Sequence, residues 1–182
     1  MDIYEALSSD HRTFEAQLDQ LLTAAKSNDP SWKTIADELR RGLVAHSHAE
    51  EALLYNALRE HEAGRSLVAH SYSEHAMAEG EIRTLSLGKV TGHAWTSVIE
   101  KLSQDLRHHI QEEETKIFGV ARKVLSDGDA MRLGEAFTRL KAEMQRDGDS
   151  MMASTLDLIT NLLPPRVGDS VREHVRNFRK AS

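Results

Sequence analysis

Apolar residues recur along the first two thirds of the chain every three or four positions, the spacing of one buried helical face. Over residues 9–26 the stripe reads His11, Phe14, Leu18, Leu21 or Leu22, and Ala25, after a short lead-in over 3–7. The run Ser27, Asn28, Asp29, Pro30 ends this helix and starts the next, with Asp29 as N-cap and Pro30 at the first helical position. The second helix is expected to reach about residue 60 on Ile35, Leu39, Leu43, His46, Glu50, Leu53 or Leu54, and Ala57. Gly64 marks a boundary, and a third helix over about 66–87 carries Val68, Tyr72, His75, Glu79, Ile82 and Leu85. After a turn at 88–92, a fourth runs over about 94–125 through Trp95, Ile99, Leu102, Leu106, His109, Glu113, Ile117, Val120 and Val124. Four helices of similar length on short connections predict an all-α fold, an up-down-up-down four-helix bundle over residues 1–126.

Residues 127–182 read as a C-terminal helical extension. A fifth helix over about 130–146 is amphipathic through Leu133, Phe137, Leu140 and Met144. A further stripe of Met151, Met152, Leu156, Ile159 and Leu163 stops at Pro164 and Pro165, and a last basic segment carries Val171, Val175 and Phe178. The extension is expected to pack on the bundle or on a second subunit, giving a monomer or a homodimer. No chemistry is legible in it.

The polar residues that interrupt the stripes change the picture. Each helix of the bundle places a histidine where a core residue belongs: His11, His46, His75 and His109. Two of them add a glutamate four residues on, Glu50 and Glu113. An unpartnered buried carboxylate is costly, so such a group protonates or finds a cation. Residues four apart share a helix face about 6 Å apart along the axis, so two facing His-x-x-x-Glu pairs can bracket two metal ions. Glutamate suits the bridge across the gap of about 3.5–4 Å between paired metals, while His11 and His75 cap one ion each. Imidazole and carboxylate without thiolate suit iron or manganese, with zinc possible. Phase assigns His48, His70 and the pair His108 and Glu112 to exposed faces.

Composition agrees. Hydrophobic residues make up 40% and charged residues 29% of 182, and only three prolines interrupt a helix-favouring mixture. Cysteine is absent, which excludes disulfides and thiolate sites. The net charge of −6 disfavours a nucleic-acid surface. Nine of 29 acidic and nine of 23 basic residues follow Ser126, so the imbalance lies in the bundle, with nine of the ten histidines. No apolar run approaches the roughly 20 residues that span a bilayer, and the sequence opens without a basic-then-apolar leader, so a cytoplasmic location away from the membrane is expected.

The residues Asp10-His11, the run from His46 through Glu50 to Tyr55, Glu74-His75, and the run from His109 through Glu113 to Phe118 resemble the hemerythrin-like HHE cation-binding domain. In both long runs an aromatic falls nine residues after the histidine, as in that family. The resemblance covers about residues 1–126. It implies a four-helix bundle holding two iron ions under an oxygen or hydroxide bridge, and proteins that bind or sense dioxygen, handle nitric oxide or peroxide, or manage iron. One position departs from the pattern: the oxygen-carrying hemerythrins have a second histidine four residues after the one on the third helix, and here it is Glu79. In phase with His75, Glu79 is expected to point inward, as an extra ligand, a proton donor or a hydrogen-bond partner of a ligand. Tyr55 is a proton donor or a core aromatic. The six ligands support a binding or sensing protein for a small ligand, a di-iron oxidoreductase consuming peroxide or dioxygen, or iron storage.

Overall fold

The structure, a computed structural model, describes residues 1–86 and 94–146. The turn expected at 88–92, the stripe at 151–163 and the basic segment at 169–179 lie outside them. The described residues are helical, with no strand among them: α1 (Ile3–Ser27), α2 (Trp32–Glu50), α3 (Asn56–Leu58), α4 (Glu62–Ser86), α5 (Ala94–Glu112), α6 (Phe118–Val124) and α7 (Asp127–Arg146). Two π-helical turns, Glu51–Tyr55 and Glu113–Ile117, join α2 to α3 and α5 to α6 into continuous rods. The described residues thus form four long rods and a fifth helix. The rods make a ring, in which α1 packs on α2 and α5, and α4 packs on the same two. Among the described residues, no helix is long and apolar enough to cross a membrane.

Local chemistry explains where the rods begin. The lead-in over 3–7 and the helix expected from Ser9 are one helix, because Asp2 and Glu5 form a reciprocal capping box that starts α1 at Ile3. Asn28 closes α1 in the left-handed conformation, φ 55°. Asp29 does not cap α2 as expected. Its carboxylate accepts from the Ser31 amide in a tight turn, and the helix starts two residues later, at Trp32. Gly64 lies inside the first turn of α4 rather than before it. A Cβ there would stand 2.6 Å from the Leu58 carbonyl oxygen, so the close return of the chain after α3 requires glycine.

The π turns account for the largest shift in the apolar pattern. Each inserts one residue into a rod and moves the following side chains around by one position. Burial therefore passes from the expected Ala57 to Leu58, and from Val120 to Ala121. All of Glu51–Tyr55 becomes buried. On α4 the inward position is Ala78, and Glu79 is only partly covered.

The buried apolar residues form two clusters. One gathers Ile3, Leu7, Leu53, Leu58, Ile117 and Phe118 with Leu133, Phe137 and Leu140 of α7. The other gathers Phe14, Leu18, Leu39, Ile82, Ile99 and Leu102. The helix α7 lies along α1 and α2, so close that a Cβ on Gly134 would stand 2.5 Å from the Asp2 backbone. Burial at about 25 cal/mol per Å² of apolar surface drives both clusters together. The layer left between them is polar.

Candidate metal centre

His11 follows Leu7 and precedes Phe14, and His46 follows Leu43 and precedes Leu53. His75 and His109 stand at the equivalent step of their own rods, so all four enter the layer between the two clusters. The four imidazoles, Glu50 and Glu113 are all buried. Two groups of atoms converge there: His11, His46 and Glu113, and Glu50, His75 and His109, each set within 4.8 Å of one another. The two glutamates link the groups. One oxygen of Glu50 lies 3.6 Å from both His46 Nε2 and His75 Nε2. One oxygen of Glu113 lies 3.3 Å from His11 Nε2 and 3.7 Å from His109 Nε2. The structure brings all six sequence-predicted ligands into one buried layer.

Behind each imidazole stands a carboxylate facing its Nδ1. Glu114 lies 2.9 Å from His11, Asp10 3.0 Å from His46, Glu51 2.9 Å from His75, and Glu74 2.9 Å from His109. These four contacts circle the bundle. Each carboxylate neighbours a ligand in sequence on its own rod but holds the histidine of the next rod. A carboxylate at Nδ1 fixes that nitrogen as the N–H donor and turns the Nε2 lone pair inward, the tautomer a metal needs.

The inward atoms are left without partners. His11 Nε2 and both oxygens of Glu50 and of Glu113 are buried with no hydrogen bond, an arrangement native proteins rarely tolerate. His75 Nε2 and His109 Nε2 approach to 3.1 Å, although the carboxylates at their Nδ1 atoms turn a lone pair inward on each. A cation between them removes the conflict. The donor set of four imidazoles and two carboxylates therefore fits a pair of transition-metal ions.

Electrostatics in the metal-free layer are correspondingly uneven. Burial, and then the charge of Glu113, raise the Glu50 pKa well above the usual range. Burial opposes ionisation of Glu113 too, but contacts with Glu50 and His11 outweigh it and lower its pKa. Glu50 is thus the carboxyl that keeps a proton. Burial pushes His46 down to about 4 against the pull of Asp10. Burial, and then the like charge of His109, push His75 down to about 3. Burial would lower His11 as well, but Glu113 and Glu114 outweigh it and raise its pKa. Metal ions would take the place of the proton on Glu50 and satisfy the neutral imidazoles.

Residues 2–121 match the family described as the hemerythrin HHE cation binding domain. The chain belongs to that family. No curated protein and no solved structure matches it. Family membership brings cation binding, typically of iron, and the His/Glu clusters of this layer are candidate sites for it.

Against this hemerythrin-like frame, two expectations change. Glu79 is not among the converging ligands. Its carboxylate, 29% exposed, lies 3.4 Å from His48 Nε2, and burial, then the charge of Glu51, push its pKa up to about 7. His48 is correspondingly half-buried rather than exposed, 3.9 Å from Glu51. His70 and His108 are exposed as expected. Tyr55 is fully buried and stacks on His75 at 5.5 Å. Burial, and then the neighbouring carboxyls of Glu50 and Glu113, raise its pKa well above the usual range, so its hydroxyl stays protonated.

The extension, in whose sequence no chemistry is legible, reaches the layer through α7. From α7, Lys141 pairs with Asp10, and Phe137 packs edge-on against His46 at 5.5 Å. The outer carboxylates Glu51 and Glu114 were not singled out from sequence, although the doublets Glu50-Glu51 and Glu113-Glu114 contain the signal.

A cavity of about 190 Å³ reaches this layer. His11, His46, His75 and His109 line its inner end, with Phe14, Leu43, Leu106 and Ile110 on its apolar wall. The Ser47 hydroxyl, buried and without a hydrogen-bond partner, belongs to the same lining.

Proposed function

We propose that this chain holds two iron ions and binds or senses a small ligand, dioxygen, nitric oxide or peroxide, at that centre. The six ligands are His11, His46, Glu50, His75, His109 and Glu113, with Glu50 and Glu113 shared between the ions in an up-down four-helix bundle. The observation that carries this reading is the set of five buried atoms, on His11, Glu50 and Glu113, that have no hydrogen-bond partner. Bound iron supplies a redox-active centre with room for a small exogenous ligand. The protein does the rest. The ring of carboxylates orients the imidazoles, the two apolar clusters exclude bulk water, and the cavity gives a small ligand a path to them. Ser47 and Tyr55 are neutral hydroxyls able to donate a hydrogen bond to such a ligand or to the carboxylates beside it.

The apolar wall of the cavity favours a diatomic ligand over a charged substrate. A storage role sits poorly with six buried ligands, which hold a cofactor rather than release a cargo. Metal analysis of the purified protein tests the centre, with two irons per chain expected. Anaerobic reduction followed by air then tests the function. A stable new absorption band supports binding, whereas rapid oxidation with peroxide consumption makes the protein an oxidoreductase.

A further inference from the structure

The spacing that builds the inner centre occurs a second time on the outside of the bundle. His70 and Glu74 lie four apart on α4, His108 and Glu112 four apart on α5, and the two pairs face each other across the helix interface. His70 Nε2 is 3.3 Å from Glu74 Oε1 and 3.9 Å from Glu112 Oε2. His108 Nε2 is 3.5 Å from Glu112 Oε1. Single ligand atoms of His70, Glu74 and Glu112 all lie within 4.8 Å of one another. One imidazole and two carboxylates in such a space, with the His108 imidazole against the other oxygen of Glu112, form a donor set for a divalent transition metal, unlike a patch of acids alone.

A second observation concerns position. The cavity that ends at the four inner histidines has His70, Glu74, His108 and Asp105 around its outer part. Glu74 belongs to both sites, since one oxygen faces His70 and the other faces the Nδ1 of His109, an inner ligand. We propose that His70, Glu74, His108 and Glu112 form a surface divalent-cation site that captures metal ions at the mouth of the cavity and passes them to the inner centre.

The geometry explains capture without retention. His70 and His108 are 59% and 58% exposed, so water completes the coordination shell and binding is weaker than in the buried layer. Lys116 pairs with Glu112. An exposed lysine–carboxylate pair contributes little, so a divalent ion displaces the ammonium easily. The acidic mouth raises the local cation concentration, an effect worth about 10- to 1000-fold in capture rate. The transfer role rests on the inner centre proposed above, whereas the surface site itself does not.

Zinc titration of the iron-loaded protein by calorimetry tests the site. The native chain should take up one further equivalent of Zn²⁺, and the His70→Ala, His108→Ala double variant none, with its inner iron retained. Lys116→Gln should tighten the added equivalent, since the competing ammonium is gone. No further equivalent on the native chain, or an equivalent that survives the double substitution, overturns the site. For the transfer role, iron content is compared in protein from iron-limited and iron-rich cultures. The double variant should fall several-fold behind under limitation and recover when iron is ample. Equal iron content under limitation overturns transfer. Absence of iron from the native protein in rich culture would instead strike the inner centre, and the zinc titration distinguishes that failure.

Discussion

The two halves of the metal layer have the same ligands and differently supported partners. Behind His11 and His46, the carboxylates Glu114 and Asp10 are themselves held by permanent cations, Arg12 at 2.7 Å and Lys141. Behind His75 and His109, Glu51 and Glu74 meet further imidazoles, His48 at 3.9 Å and His70 at 3.3 Å. The first half is charge-compensated and tied to α7. The second half leads through neutralisable groups to the mouth of the cavity. Equivalent inner residues are therefore backed differently: on the reading proposed above, the first side anchors and the second side exchanges with the outside.

The hardest test of that division removes what the halves share. Glu50→Ala or Glu113→Ala takes a carboxylate that touches a histidine of each group. Each variant should lose both ions rather than one, with a fall in thermal stability, because binding free energy is folding free energy here. Metal analysis with calorimetric unfolding reads it. A variant that keeps one tightly held ion would mean that the halves are independent sites.

Next in size are the outer carboxylates. Asp10→Asn, Glu114→Gln, Glu51→Gln and Glu74→Gln each remove an anion from an imidazole Nδ1, which typically weakens metal affinity about 10- to 100-fold. All four should weaken retention against a chelator. If the division holds, Glu51→Gln and Glu74→Gln should also change the rate of metal exchange, because their side chains lie on the open half.

How much of this was visible in the sequence follows from which residues obey a simple period. The four histidines and two glutamates stood out because each breaks an apolar stripe, and α1 kept its stripe intact from His11 to Ala25. The π turns were invisible, since an inserted residue leaves no compositional mark. They moved burial to Leu58 and Ala121. Glu79 was misplaced without any such turn on α4: of the positions three and four residues after His75, Ala78 is the buried one and Glu79 lies beside it. The outer carboxylates escaped for another reason. Glu51 and Glu114 follow a ligand directly in sequence but act on a different rod, and a one-dimensional pattern does not say which neighbour a side chain will face. Nor did the amphipathic period of α7 reveal that Lys141 would reach Asp10.

The acid response of the metal-free protein sharpens the comparison at intermediate size. A histidine whose folded pKa is depressed favours the folded state above its unfolded value of about 6.5, and that stability is lost as pH falls towards the folded value. His75, pushed down to about 3, and His46, pushed down to about 4, both act in this sense. His11 acts oppositely. Its raised pKa contributes stability below about 6.5 that disappears as pH rises through the raised value. The first half thus contains opposing terms. Metal-free protein should lose stability as pH falls from about 6.5 towards 4, and His75→Gln and His46→Gln should each flatten that slope, whereas His11→Gln should leave it unchanged there. Denaturant midpoints across this range read the effect.

The smallest expected effect probes the cations that distinguish the anchored half. Lys141 is 21% exposed and pairs with Asp10, while Arg12 is 57% exposed and pairs with Glu114. Exposed pairs contribute about 1 kcal/mol or less, so Arg12→Ala should barely alter stability or metal retention. Lys141→Ala should do more. Its ammonium lowers the Asp10 pKa together with His46, against the penalty of burial, and its helix presses Phe137 against His46. A few-fold loss of metal retention is expected for Lys141→Ala, with Lys141→Arg restoring most of it. Because Lys141 touches only the anchored half, that loss should leave the exchange rate set by Glu74 unchanged. A shift in both would mean that α7 stiffens the whole layer and that the halves are not mechanically separate.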